Sequence, residues 1–250
     1  MVRKLHANYI ILPPAVVTCP YCAFLLMLSA FLGYVTFFSI RIGGKMSKFR
    51  FDDLFLRNGF EKHGPFNIPL VKKQELDVDS VSLISFADTK SSESKSRTLC
   101  GVHFFQDDYK FECVYNNPYR YIKRLLQYKF VLTPDFSTYA DMDMWRQIES
   151  VGKNRWCGAF WQSQGMTVFP TVSWSTARSF DFCFDGIEHN SVVAVGMVGC
   201  KSDRFGFMRG YDAMLERIEP EAVICLGTPF PEMRGNLLVV PYTPFRKVVV

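Results

Sequence analysis

From Gly101 onward, short runs rich in β-branched and aromatic residues alternate with helix-forming stretches, and this alternation limits the chain to few folds. A strand that must pair in parallel with the next one needs a long return connection, usually helical. The expected strands are Val81–Phe86, 101–105, 130–133, 166–172, 192–198, 222–226 and 237–240. Helices are expected at 51–61, 119–128, 142–164, 176–184 and 203–218. Asn117 before Pro118 reads as a cap followed by proline at the first helical position, and Gly165 as a C-terminal cap. In the long helix, Trp145, Ile148, Gly152, Trp156, Ala159 and Phe160 fall at helical spacing on one face.

Seven strands separated by helices imply a mainly parallel sheet covered on both faces. The fold class read from this is α/β, a compact or incomplete (β/α) barrel-like domain with mainly parallel strands. The open doubly wound sheet is the alternative. It is disfavoured because the strands carry no nucleotide-binding fingerprint of the kind open sheets often carry.

Charge divides the chain unevenly. Of 29 basic and 24 acidic residues, residues 1–45 hold four basic ones (Arg3, Lys4, Arg41, Lys45) and no acidic ones, leaving 25 against 24 in residues 46–250. A net charge near zero in the body gives no overall electrostatic case for nucleic acid or an anionic membrane. Residues 21–40 are uncharged and long enough to cross a bilayer. They read as a membrane anchor, as translated sequence upstream of a true start at Met46, or least well as a signal peptide. The Gly43-Gly44 pair a few codons before Met46 fits an in-frame ribosome-binding sequence, so the upstream reading leads. The expected organisation is an apolar extension over 1–45 and one α/β domain over 46–250, with a polar, Ser-rich loop near 88–98. The expected location is cytoplasmic, or membrane-anchored if 21–40 is a real span.

Absent signatures narrow the chemistry. P-loop, dinucleotide-binding and nucleophile-elbow motifs are all missing. His63, His103 and His189 are far apart and lack ligand spacing, so no metal residues are assigned. Cys19 and Cys22 form a lone C-x-x-C in the apolar extension. The six body cysteines read as reduced, buried small hydrophobes. Tyr115, Tyr119, Arg120, Tyr121, Lys123, Arg124 and Tyr128 make a basic-aromatic stretch of the type that meets single-stranded nucleic acid, although a solvated helix face is the better reading.

In parallel α/β folds, active groups sit on loops at the carboxyl ends of strands. The residues just past the expected strands are polar: Gln106-Asp107-Asp108, Asp135, Ser173-Trp174-Ser175, Cys200-Lys201 and Thr228. Asp135, with Asp107 or Asp108, is the candidate acid–base group, and such carboxylates can also hold a divalent cation. Cofactors are otherwise open. Trp161, Gln162 and Trp174 are candidates to contact a sugar or base, with Gln164 beside them, and Lys201 could hold a phosphate. Against each stands an ordinary role: helix cap, core aromatic, solvated lysine.

Five stretches in order carry a family resemblance: Gly101–Glu112 (GVHFFQDDYKFE), Leu132–Ser137 (LTPDFS), Gly158–Gly165 (GAFWQSQG), Pro170–Trp174 (PTVSW) and Ser179–Gly186 (SFDFCFDG). Over about 47–242 the chain resembles the bacterial and phage family of the domain of unknown function four-four-one-seven. The resemblance implies a protein of a phage or mobile element and carries no activity with it. Two functions stay open on the sequence: an enzyme using carboxylates at strand ends on a polar ligand, or a non-catalytic interaction scaffold. Single-stranded nucleic-acid binding is a third and weaker possibility.

Overall fold

A computed structural model describes residues 57–76, 81–90 and 97–242, all within the compact unit running from Phe51 to Val250. The apolar extension over 1–45, most of the helix expected at 51–61, and the centre of the polar loop at 91–96 lie outside the described residues. No helix among the described residues is long and apolar enough to cross a membrane.

A small antiparallel hairpin of β1 (Lys62–His63) and β2 (Ile68–Pro69) precedes the main sheet. Seven parallel strands then follow: β3 (Leu83–Ser85), β4 (Gly101–His103), β5 (Phe130–Leu132), β6 (Val168–Phe169), β7 (Val192–Gly196), β8 (Ala222–Leu226) and β9 (Leu237–Val240). They form a four-stranded sheet, β3-β4-β5-β6, and a three-stranded sheet, β7-β8-β9. A parallel bridge between Thr171 and Ala194 links the two, supported by Val172 N–H to the Ala194 carbonyl and Ala194 N–H to the Pro170 carbonyl, both at 2.8 Å. Spatial order therefore follows chain order. Among the described residues no pairing joins β9 to β3, so the arrangement is barrel-like and incomplete.

The strand period of two explains how this sheet is filled. Phe130 and Leu132, Val192 and Ala194, and Ala222, Ile224 and Leu226 point inward with Phe105, Phe169 and Val240 to make one core. Their neighbours Val131, Val193, Val195, Val223 and Cys225 point outward into two further cores beneath the helices.

The helices are α1 (Cys113–Asn116), α2 (Ile122–Leu125), α3 (Met144–Ser163) and α4 (Arg204–Ile218). Several differ from the sequence expectation. The helix expected at 119–128 is a 3-10 turn, Pro118–Arg120, followed by the single turn of α2, and the Asn117 side chain makes no capping bond. The segment at 176–184 is a 3-10 helix over Ala177–Asp181. In α3 the expected apolar face is buried where Trp156, Ala159 and Phe160 enter the core, but it fails at the start of the helix, and polar residues are buried beside it. Trp145 is 65% exposed, while the polar side chains of Gln147, Asn154 and Arg155 are buried. Those three find internal partners, which is the condition for burying them at all.

Candidate functional site

The loops that leave the carboxyl ends of β4, β5, β6 and β7 surround a cavity of about 700 Å³. From the β4 loop come Phe105, Gln106, Asp107 and Lys110, and from the β5 loop Asp135 through Ala140. The β6 loop adds Val172, Ser173 and Trp174. The β7 end adds Gly196, Val198, Gly199, Cys200, Ser202 and Asp203, and Phe207 of α4 and Tyr242 complete the wall.

Asp135 is the chemically distinct group. It is partly buried, and the loss of water around its carboxyl pushes its pKa up to about 7. The Ser173 hydroxyl, donating to the carboxylate, and the Arg155 charge oppose that rise, while the nearby Asp108 charge adds to it. Below Asp135 lies a fully buried polar network. Thr133 Oγ1 donates to Asn154 Oδ1 at 2.7 Å and accepts from the Thr171 N–H at 2.7 Å. Asn154 Nδ2 donates to the carbonyls of Pro134 (2.8 Å) and Thr171 (3.2 Å). Arg155 donates to Asn154 Oδ1 and to the carbonyls of Thr171, Cys183 and Asp185. Because the Pro134 and Thr171 carbonyls are both held by one asparagine, the β5 and β6 loops are fixed relative to each other just below Asp135 and Ser173.

The other sequence candidates divide. Asp107 lines the cavity at its exposed edge and is paired with Lys110 at 2.6 Å; that bond holds its carboxyl below the usual range. Asp108 does not line the cavity. Its carboxylate accepts the Ser137 N–H at 3.2 Å and hydroxyl at 2.9 Å, tying the β4 and β5 loops together. Trp174 lines the cavity together with Phe207, ring centroids 5.1 Å apart, and packs on Phe184, outside the lining, at 6.3 Å.

Trp161 and Gln162 belong elsewhere. Trp161 is fully buried against Phe104, ring centroids 5.6 Å apart, and has no surface for a ligand. Gln162 exchanges two hydrogen bonds with the Lys72 backbone, at 2.9 and 2.8 Å, and a third with Gln74, so it fastens the 71–76 segment onto α3. Lys201 is exposed and outside the lining, although its neighbours Cys200 and Ser202 are in it. Thr228 and Gln164 are not in the lining either.

Sequence reasoning missed Lys110, Ser137, Tyr139, Ser202, Asp203, Phe207 and Tyr242 as lining residues. The strand-end rule would have reached Ser137 and Ser202 had it been extended a few residues further along each loop. Tyr242 follows β9 and was open to the same rule.

Cys200 is poorly suited to attack a substrate: burial pushes its thiol up to about 11, and Sγ donates to the Gly196 carbonyl at 3.3 Å. Among the described residues, no three His, Cys, Asp or Glu side chains gather as a group that could hold a metal ion. The basic-aromatic stretch uses its rings internally. Tyr115 packs on Trp156 at 5.4 Å, Tyr121 on Phe86 at 5.5 Å, and the buried Tyr128 donates to the Thr89 carbonyl. Of these four tyrosines, Tyr119 alone is exposed, its ring edge against Phe160.

Comparison with known proteins places the chain. The model of the family described as Domain of unknown function (DUF4417) matches residues 60–243, and the chain belongs to that family. It is 35% identical over 181 residues to the Gene 1 protein of Mycobacterium phage L5, covering 71% of this chain and 78% of that one. It is 36% identical over 181 residues to the Gene 1 protein of Mycobacterium phage D29, covering 71% of this chain and 66% of that one, just under two thirds. The relatives are thus phage proteins. No solved structure was found to match the chain.

Proposed function

We propose that this phage-type protein is an enzyme that acts on a small polar ligand held at the carboxyl ends of β4 to β7, with Asp135 exchanging a proton with it. The observation that carries this reading is the environment of Asp135: a carboxyl on the wall of a 700 Å³ cavity, with a pKa near 7. General acid–base catalysis works best when the catalytic pKa lies near the working pH. A strongly perturbed carboxyl in a cleft is also what active sites characteristically contain. Burial that raises a carboxyl on a cavity wall supports the acid–base reading over that of an ordinary solvated cap.

The supporting residues have definite parts. Ser173 donates to the ionised carboxylate, so it steadies Asp135 after the proton has left. The Thr133–Asn154–Thr171 network keeps the two loops in register, and the Arg155 charge beneath it adds to Ser173 in favouring the ionised form of Asp135. The Asp107–Lys110 pair at the mouth presents one group of each charge to an incoming polar molecule.

Binding can be screened by thermal shift with adenosine, glucosamine, ribose 5-phosphate and free amino acids, comparing wild type with Asp135→Ala. A probe that raises the melting temperature of the wild type by several degrees and of Asp135→Ala by much less is the expected result. Equal stabilisation of the two proteins by every active probe would overturn the role given to Asp135.

A further inference from the structure

The cavity wall is strongly aromatic and short of cations. Among the described lining residues the one cation is Lys110, already 2.6 Å from Asp107, while Asp107, Asp135 and Asp203 contribute carboxyls. A phosphate ester or other anion would meet more negative charge than positive here. Trp174 and Phe207 form one wall, and Tyr139 and Tyr242 stand exposed at the mouth. Trp174 is held from behind by α4. A Cβ on Gly210 would stand 2.1 Å from its Nε1, so the absence of a side chain at Gly210 is what lets the indole lie there. Gln106, also in the lining, has a buried Nε2 that finds no acceptor in the protein. An aromatic platform with a carboxyl and an unused amide donor beside it is the arrangement that reads a planar heterocycle, stacking on its face and hydrogen-bonding its edge.

We infer that the cavity takes an unphosphorylated nucleobase, free or as its nucleoside, stacked on Trp174 and paired along its edge to Asp135. The inference rests on the acid–base reading above and names its substrate class. In an adenine-type or cytosine-type base, a ring nitrogen lies beside an exocyclic amine. Protonated Asp135 donates its O–H to the ring nitrogen and accepts an N–H of the amine, two hydrogen bonds with no net charge buried. Movement of the same proton onto the ring gives an ion pair with the atoms unchanged. The groups that set the protonation of Asp135 come from three sides: Ser173 on the β6 loop, Asp108 on the β4 loop and Arg155 on α3. Cys200 on the β7 side stays a neutral thiol.

The test is a titration of the full chain with adenine, adenosine, cytidine, AMP and ribose, read by tryptophan emission and by melting temperature. Adenosine or cytidine should quench emission, and Trp174→Phe should remove that quenching. Asp135→Ala should weaken binding at least tenfold. Asp135→Asn, whose amide keeps one donor and one acceptor, should bind without the pH dependence. AMP should bind at least tenfold more weakly than adenosine, and wild-type affinity should fall as pH rises from 6 to 8. Adenine matching adenosine would place recognition on the base alone. Ribose binding as well as adenosine, AMP binding as well as adenosine, or no binding of any base or nucleoside at millimolar concentration would each overturn the inference. The two levels separate cleanly. If glucosamine or an amino acid stabilises the protein through Asp135 while nucleosides do not, the nucleobase assignment falls and the acid–base reading stands. If the Asp135 carboxyl titrates in the ordinary range near 4, the acid–base reading falls with it.

Discussion

Thr171 donates its backbone N–H to Thr133 Oγ1 and its hydroxyl to the Thr133 carbonyl, each at 2.7 Å, so the tails of β5 and β6 are tied by two reciprocal bonds. Asp135 and Ser173 each lie two residues beyond that tie, on facing loops. The placing of these two side chains relative to each other is set by that buried joint and not by the loops themselves.

Thr133→Val keeps the shape of the side chain and removes its hydroxyl. It leaves the buried Thr171 N–H without an acceptor and takes one donor from Asn154 Oδ1. An orphaned buried polar group costs about 1–3 kcal/mol. Chemical denaturation should show a loss of that size, with the slope against denaturant unchanged. A neutral substitution would mean that the joint does not hold the loops.

Arg155 is 1% exposed and satisfies three backbone carbonyls. Arg155→Met fills much of the space, strands the Cys183 and Asp185 carbonyls and leaves the Thr171 carbonyl with its Asn154 bond alone. The expected loss is about 3 kcal/mol or more on the same scale of roughly 1–3 kcal/mol per buried group. Arg155→Lys should recover only part of it, because one ammonium cannot reproduce the planar fork. Full recovery by lysine would show that charge alone matters there.

Gly210→Ala sets two effects against each other. In a helix interior, alanine is favoured over glycine by about 1 kcal/mol. The new Cβ, however, would stand 2.1 Å from Trp174 Nε1, and overpacking costs about 1–3 kcal/mol. The clash should win. The melting temperature should fall and Trp174 emission should shift; an increase in stability with unchanged emission would place Trp174 elsewhere.

The folded pKa of Asp135 lies above its ordinary value of 3.8, so between about pH 4 and 7 the folded state holds a proton that the unfolded state has lost. Stability contributed by Asp135 is therefore greatest below pH 4 and declines as pH rises to about 7. Asp135→Asn should flatten that part of the stability–pH curve and leave the variant more stable than wild type at pH 8. The same downward slope in both proteins would assign it to other groups.

The position of the candidate site was legible in the sequence, and its membership only partly so. Asp107, Asp135 and Trp174 meet in one cavity because each follows a strand, and strand ends can be read from composition. Trp161 and Gln162 misled because a helical period shows which residues share a face but not what covers it. The 71–76 segment, far away in sequence, closes over that part of α3. Asp108 is adjacent to Asp107, yet it turns to Ser137, a choice made by a loop 29 residues later. Asn154 and Arg155 gave no signal, since polar residues in the middle of a helix look like a solvated face until the strand tails that bind them are in place.

The most direct measurement is the titration of the Asp135 carboxyl by carbon-detected NMR, assigned by comparison with Asp135→Asn. A midpoint near 7 is expected, and it would establish a carboxyl that can give and take a proton at neutral pH. A midpoint near 4 would show an ordinary ionised aspartate and contradict the acid–base role on which the proposed function rests.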